Sequence, residues 1–319
     1  MHSTDRRKFL KGGIGTVAGL AAVPVLGGLA GCQSAPARTG ARAAATRIEV
    51  QPVTDRIRVI AGVPGNVVAL DGPDGIVLVD SGAAEHAAAL RRQLGDAPVR
   101  TLINTHYHPD QTGGNALFAT AGAEIRAHKV TQQWLAADYW SPQQDRWIKA
   151  PPKEAVPRVT FRDKGEFRAG NETVEYGYLL EAHTRGDAYV FFRDSNVLVA
   201  GDVASPERDP VHDWFAGGWL GGRVDALEDL LALANDGTRI VPAYGPVMTR
   251  AELEAEYEVM KKIYDITASL TSKGRSAKDM LQEGALDGVG RTFQDPARFL
   301  YDLAKGYQAH YTNVGVNVV

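Results

Sequence analysis

Cysteine is nearly absent from this chain, with Cys32 the sole example in 319 residues. One thiol cannot close an internal disulfide, nor can it build a thiolate metal cluster by itself. Excess charge is missing too: 35 basic residues face 38 acidic ones, and both signs are scattered rather than blocked. That balance lacks the footprint of a nucleic-acid binder and fits an ordinary solvated globule. With 44% hydrophobic residues, the chain can bury one large core or two modest ones.

An apolar stretch without a single charge, Ile14 to Ala30, follows Thr4-Asp5-Arg6-Arg7-Lys8-Phe9-Leu10-Lys11. An arginine pair ahead of a short apolar run is an export address rather than part of a domain. The run ends in Leu29-Ala30-Gly31-Cys32, which resembles the lipobox of bacterial lipoproteins, where the cysteine becomes the lipidated first residue. Residues 1–31 are therefore expected to be a twin-arginine lipoprotein signal, and residues 32–47, rich in Ala, Arg and Pro, a flexible tether. The expected product is periplasmic and touches the membrane only through its N-terminal anchor. Twin-arginine export carries folded proteins, often with cofactor loaded, which suits a metalloprotein.

From Ile48 the pattern changes to short β-rich runs, Ile57–Ile60, Asn66–Leu70 and Ile76–Val79, separated by Gly/Pro/Asp turns. These predict an antiparallel meander. An alanine-rich helix over Ala83–Leu94 and a strand over Arg100–Asn104 follow, then a strand at Glu124–Ala127 and a helix over Thr131–Tyr139. From Trp134 to Phe161 the chain reads as an irregular, aromatic, proline-bearing insertion able to wall a pocket. A second block repeats the scheme: strands over Thr173–Leu180, Ala188–Phe192 and Asn196–Ala200, a helix over Val224–Asn235, and a strand from Arg239. Helices fill residues 249–319, starting with the capping-box spacing of Thr249 and Glu252, and they are expected to pad one edge of the same domain.

The strand ending at Asn104 delivers Thr105-His106-Tyr107-His108-Pro109-Asp110-Gln111-Thr112-Gly113-Gly114-Asn115. His-x-His on an extended segment turns both imidazoles to one face, where they can grip a divalent cation. Three further polar loops follow apolar strands: Glu181-Ala182-His183-Thr184-Arg185-Gly186-Asp187, Ala200-Gly201-Asp202, and Val241-Pro242-Ala243-Tyr244-Gly245-Pro246.

In order and spacing these motifs resemble the metallo-β-lactamase superfamily over roughly Ile57 to Arg250. The resemblance implies an α+β fold, a four-layer αββα sandwich with extra C-terminal helices, spanning residues 48–319. It implies that His106, His108 and His183 ligate a first metal with Asp202 in the bridging position. It also implies that Asp80 lies behind the ligands, with Asp187 supporting the His183 loop. Two positions depart from the family pattern: Gln111 and Tyr244 stand where histidines would complete a second metal site. Two nitrogen donors are thereby lost, and Asp110, a shared Asp202 and a neutral amide oxygen are what remains to ligate a second cation, so a second zinc is not expected. His212 is a conceivable substitute, although a histidine in its Pro/Asp-rich loop is expected to be solvated.

A site of three histidines with an open position matches catalytic zinc, which makes bound water a hydroxide nucleophile near neutral pH. The expected activity is therefore hydrolysis of an ester, thioester or amide-like bond in a small molecule by metal-bound hydroxide. One zinc is expected, with iron possible. Asp110 would orient or deprotonate the water, Asp202 would ligate or hydrogen-bond it, and Tyr244 would donate to a developing oxyanion. Two other readings share these residues: a mononuclear iron oxidoreductase of the sulfur dioxygenase type, and a degenerate site kept for binding in the periplasm.

Overall fold

Side chains along a strand alternate between faces, so a strand covered on both sides must be apolar at nearly every position. The computed structural model describes residues 47–142 and 144–312; the expected signal, and the tether apart from Arg47, lie outside these. Strands β2 (Ile57–Ala61), β3 (Val67–Gly72) and β4 (Gly75–Val79) form the expected antiparallel meander, to which β1 (Glu49–Pro52) adds an unexpected strand at the edge. Helix α1 (Ala87–Gln93) then crosses to β5 (Val99–Asn104), which pairs parallel with β4. Two short helices, α2 (Pro109–Thr112) and α3 (Asn115–Thr120), lead to β6 (Glu124–His128) and α4 (Lys129–Leu135). A detached hairpin, β7 (Tyr139–Ser141) with β8 (Arg146–Ile148), precedes β9 (Val159–Phe161), and the first sheet has the order β1-β2-β3-β4-β5-β6-β9.

The second sheet is built from β10 (Lys164–Ala169), β11 (Glu172–Leu179), β12 (Asp187–Phe192) and β13 (Val197–Gly201), all antiparallel in sequence. Helix α5 (Leu220–Leu233) returns the chain to β14 (Arg239–Pro242), which pairs parallel with β13. Helices α6 (Arg250–Ser272), α7 (Ala277–Gln282) and α8 (Pro296–Thr312) complete the described chain. Both halves thus follow an antiparallel run with a parallel strand pair joined through a helix.

The alternation sorts the core into three slabs. Val68, Leu70, Val77 and Val79 of the first sheet meet Val190, Phe192, Val197 and Val199 of the second. The opposite faces of the same strands, through Ala69, Leu78 and Leu102, pack on Leu90 of α1 and Phe118 of α3. On the other side Phe191, Leu198 and Ile240 pack under α5, α6 and α8 through Leu227, Met260 and Leu300. The result is an αββα sandwich with additional C-terminal helices. Each buried Val, Leu or Ile contributes roughly 1.5–3 kcal/mol. A one-residue register slip would exchange the two slabs of a strand and lose many such contributions together.

Several expectations need correction. The C-terminal helices do more than pad an edge: α6 packs on α5 and on the edge strand β14, and together the helices share one core with the outer face of the second sheet. The alanine-rich helix opens with a 3-10 turn at Ala84–His86. The helix expected from Thr131 begins at Lys129 and stops at Leu135, where the chain leaves for the hairpin, so the aromatic insertion is partly regular. The helix expected from Val224 begins a full turn earlier, at Leu220, with Gly221 and Gly222 inside it. Those glycines mask the helical pattern in the sequence, and their lack of side chains lets the turn lie against neighbouring chain: a Cβ on Gly222 would sit 2.2 Å from the Glu181 carbonyl oxygen.

Candidate metal centre

Every site residue named from the sequence lies in or beside a strand end on one rim of the sandwich. Asp80 follows β4, His106 and His108 follow β5, and Asp110 and Gln111 lie in the adjoining α2. His183 lies in the β11–β12 loop, Asp202 follows β13 and Tyr244 follows β14. The chain must turn sharply at these points. Asp80 adopts a left-handed backbone at φ 61°, a conformation that Asp tolerates better than most side chains. Gly201, at φ 57°, lets β13 turn into Asp202.

Buried amides and hydroxyls pin the first loop. Asn115 donates to the Asn104 side chain at 2.8 Å and to the Ala155 carbonyl at 3.1 Å, while its own oxygen accepts from Ser81 at 2.8 Å. Asp80 accepts from the Thr105 amide at 2.8 Å and from the Thr105 hydroxyl at 2.7 Å. Because that hydroxyl proton points to Asp80, Thr105 Oγ1 presents a lone pair to His106 Nδ1, 3.0 Å away. The network therefore puts the His106 proton on Nδ1 and leaves Nε2 with its lone pair free.

The second histidine is turned the other way. Asp213 Oδ2 accepts from Tyr107 Oη and lies 2.9 Å from His108 Nε2, so His108 carries its proton on Nε2 and faces inward with Nδ1. His183 is set by its backbone: Asp187 accepts from the His183 amide at 2.6 Å, the Thr184 amide at 2.7 Å and the Thr184 hydroxyl at 2.8 Å. Gly218 lies so close behind the His183 loop that a Cβ there would be 2.0 Å from the His183 carbonyl oxygen. The three imidazoles meet edge to face with ring centroids 4.7–4.9 Å apart, and one ligand atom from each lies within 4.8 Å of the others.

Burial, with the neighbouring His183 and His108 rings, pushes the His106 pKa down to about 3, so its ring is neutral at ordinary pH. For His108, burial acts downward, yet the Asp213 hydrogen bond and charge carry its pKa above the usual histidine value. Asp202 is fully buried; burial alone would raise its pKa, but the charges of His183 and Arg208 hold it well below the usual carboxylate range. Its Oδ2 lies 3.8 Å from His183 Nε2 and accepts from Arg208 Nη2. Burial pushes the Asp80 carboxyl up to about 7 against the pull of the two Thr105 donors.

The fourth corner holds no histidine. Tyr244 donates its hydroxyl to Asp110 Oδ2, and the Arg208 guanidinium lies over the Tyr244 ring with Cζ 3.4 Å from the centroid. Burial, then the Asp110 charge, raises the Tyr244 phenol well above its usual pKa, so it stays protonated. Gln111 is buried with both amide atoms lacking a hydrogen-bond partner. Its amide nitrogen is packed so near Gly65 that a Cβ there would lie 2.2 Å away.

Residues 60–245 match the family model of the metallo-beta-lactamase superfamily, which is more than half of the chain. The chain belongs to this superfamily. A 2,4-dinitroanisole O-demethylase subunit alpha from Nocardioides sp. (strain JS1661) is 27% identical over 79% of this chain and 70% of its own length. A type 2 metallo-beta-lactamase from Elizabethkingia meningoseptica is 25% identical over 43% of this chain and 51% of its own. Among solved structures, a metallo-beta-lactamase from Pontibacter korlensis superposes with a TM-score of 0.56 at 18% identity, covering 67% of this chain and all but 1% of that one. The stereoselective inverting sec-alkylsulfatase from Pseudomonas sp. gives a TM-score of 0.61 at 16% identity over 85% of this chain and 51% of its own. These structural likenesses concern the fold.

Metallo-beta-lactamase superfamily members are mostly hydrolytic enzymes, and the fold together with the three-histidine cluster points to a divalent metal ion. The residues fit such an ion. His106 Nε2 and both ring nitrogens of His183 are buried without a hydrogen-bond partner, as is Asp202 Oδ1, and one ring nitrogen from each of the three histidines converges on the same spot. Buried polar atoms left in this way cost stability unless something satisfies them, and imidazole nitrogens beside a carboxylate suit a divalent ion.

Two residues at this superfamily site are invisible to sequence reasoning. Asp213 and Arg208 lie in the long loop after Asp202, where no periodicity marks them. The available signal was the loop itself, a polar stretch too long for a simple connection. His212 corrects an expectation: it is fully buried rather than solvated, with its ring 5.9 Å from Phe299 of α8. It is not one of the histidines whose ligand atoms converge. The tryptophans also divide. Trp134 stacks on Tyr107 with centroids 4.9 Å apart, beside His108, but Trp140 and Trp147 lie on the hairpin and Trp219 stacks on His310 of α8.

Proposed function

We propose that this protein is a metal-dependent hydrolase that works with one divalent ion, zinc in the first instance, held by His106 Nε2, His108 Nδ1 and His183. The observation that carries this reading is the convergence of three imidazoles whose ligand atoms lie within 4.8 Å of one another. When bound, such an ion supplies a Lewis acid that makes a water it holds acidic near neutral pH.

The chain's own residues do the rest. Asp213 and the Asp80–Thr105 pair fix two ring tautomers, so that both rings offer lone pairs rather than protons. Asp202 adds a buried negative charge beside His183, ready to ligate the ion or accept a hydrogen bond from water. Asp110 takes the proton of the attacking water in this reading, which the Tyr244 hydroxyl bonded to that carboxylate supports. In this resting arrangement the Tyr244 hydroxyl serves Asp110 rather than an oxyanion. Water adds to the electrophilic centre, the bond to the leaving group breaks, and the leaving heteroatom takes a proton.

The substrate we propose is a small molecule with an ester, thioester or amide-like bond and a good leaving group. An ion-poor site has less electrophilic help to offer than one holding two ions. A relative named for O-demethylation of 2,4-dinitroanisole fits such an activated bond to oxygen.

Purified protein, analysed for metal and assayed with 4-nitrophenyl acetate and its thioester and anilide analogues, tests this reading. One zinc per chain with release of product is expected, and changing His106, His108 and His183 together to alanine should remove both. Stoichiometric iron with oxygen consumption would instead establish the oxidoreductase reading, and full function without metal the binding one. We also propose export by the twin-arginine route with lipid on Cys32 and work in the periplasm. Radiolabelled palmitate should enter the full chain and not its Cys32→Ser variant, and equal labelling of both ends that proposal.

A further inference from the structure

Two carboxylates and a phenol meet beside the histidine cluster, and one cation serves all three. Asp202 accepts from Arg208 Nη2, Tyr244 donates to Asp110, and the Arg208 guanidinium covers the Tyr244 ring at 3.4 Å. Asp202 is fully buried and the Arg208 side chain is about one-third exposed, so the carboxylate end of the pair is fixed in the interior. A buried carboxylate needs a cation or several donors to remain ionised. Asp202 obtains one from Arg208, which is six residues ahead in the same loop and belongs to no helix or strand.

We infer that Arg208 is a resident cation that closes the Asp110/Asp202 corner to a second divalent ion and holds that corner ready for an oxygen anion of the substrate. The inference rests on the single-ion reading of the histidine triad above. Its logic is one of competition. A second ion could use Asp110 and Asp202 as hard oxygen ligands, but to do so it must displace a guanidinium that is hydrogen-bonded to one and stacked on the phenol bonded to the other. Gln111 offers only a neutral amide in compensation. The guanidinium still has donors to spare: its Nε is buried without a partner, and a planar guanidinium binds oxygen anions through paired N–H groups.

The test measures metal uptake rather than turnover. Full-length wild type, Arg208→Ala and Arg208→Lys are stripped with chelator, titrated with zinc alone, and followed by calorimetry with elemental analysis after desalting. Circular dichroism checks that each variant is folded. Wild type is expected to take one ion per chain. Arg208→Ala should gain a second ion at least tenfold tighter than any second binding in wild type, and Arg208→Lys, which keeps the charge without the planar stack, should lie between them. Two tight ions in wild type, or one ion in wild type and Arg208→Ala alike, overturns the role of Arg208 while leaving the triad intact. No ion in wild type overturns the triad reading and this inference with it.

Discussion

Tyr244→Phe deletes one hydroxyl and little else, which makes it the sharpest probe of the Asp110 corner. The hydroxyl donates to a carboxylate, and hydrogen bonds to charged groups contribute about 1.5–3 kcal/mol. If that bond places Asp110 for proton transfer, kcat should fall by roughly 10- to 100-fold with metal content unchanged. Unchanged kcat and KM in steady-state assays would remove Tyr244 from the mechanism. Asp213→Asn probes the opposite side, where one carboxylate oxygen receives both Tyr107 and His108. A neutral amide holds the His108 proton less firmly, and loss of such a support commonly lowers metal affinity by about 10–100-fold. Competition with a fluorescent zinc chelator measures this, and an unchanged affinity would show that His108 needs no orienting partner. These two probes also mark what a sequence can reveal. The histidines stood out because their spacing on an extended segment is itself chemical information. Asp213 and Arg208 act through contacts that fold brings together from an irregular loop, and no local rule aligns them with a ring 105 residues away or with the end of another strand.

At the scale of elements, strands and capped helices were legible, and shapes dictated by distant packing were not. The runs around Val68, Val77 and Val197 are apolar on both faces, which is what two covering layers demand. The cap at Thr249 was legible for a local reason: its hydroxyl meets the Glu252 amide at 3.3 Å while Glu252 reaches back to the Thr249 amide at 2.7 Å. Thr249→Ala should therefore cost about 1 kcal/mol in urea unfolding, with the m-value unchanged. No change in midpoint would mean that packing of α6 on the second sheet alone fixes its start. By contrast, the β7–β8 hairpin is detached from both sheets and held by side chains such as the Trp140–Trp147 pair, so no alternation announced it. His212 departs from its expected exposure for a related reason. Its loop composition suggests solvent, but α8, far along the chain, supplies Phe299 to cover it.

For the whole molecule the decisive fact is that the histidine cluster spans the seam of the sandwich. His106 and His108 hang from the end of β5 in the first sheet, whereas His183 comes from the β11–β12 loop of the second. An ion held by all three would tie the two sheets together at one rim, and it would satisfy His106 Nε2 and a ring nitrogen of His183, which are buried without a hydrogen-bond partner. Binding to the folded state alone stabilises by about 4 kcal/mol when free ion is near 1,000 times Kd. Each kcal/mol moves Tm by roughly 2–4 °C in a domain of about this size. Stripping the metal with chelator should therefore lower Tm by on the order of 10 °C, and added zinc should restore it. The His106→Ala, His108→Ala, His183→Ala triple variant supplies the control, since its Tm should ignore both chelator and zinc. A wild-type Tm equally indifferent to both would mean that the seam is held by the Val, Leu and Phe contacts between the sheets and that no ion bridges it.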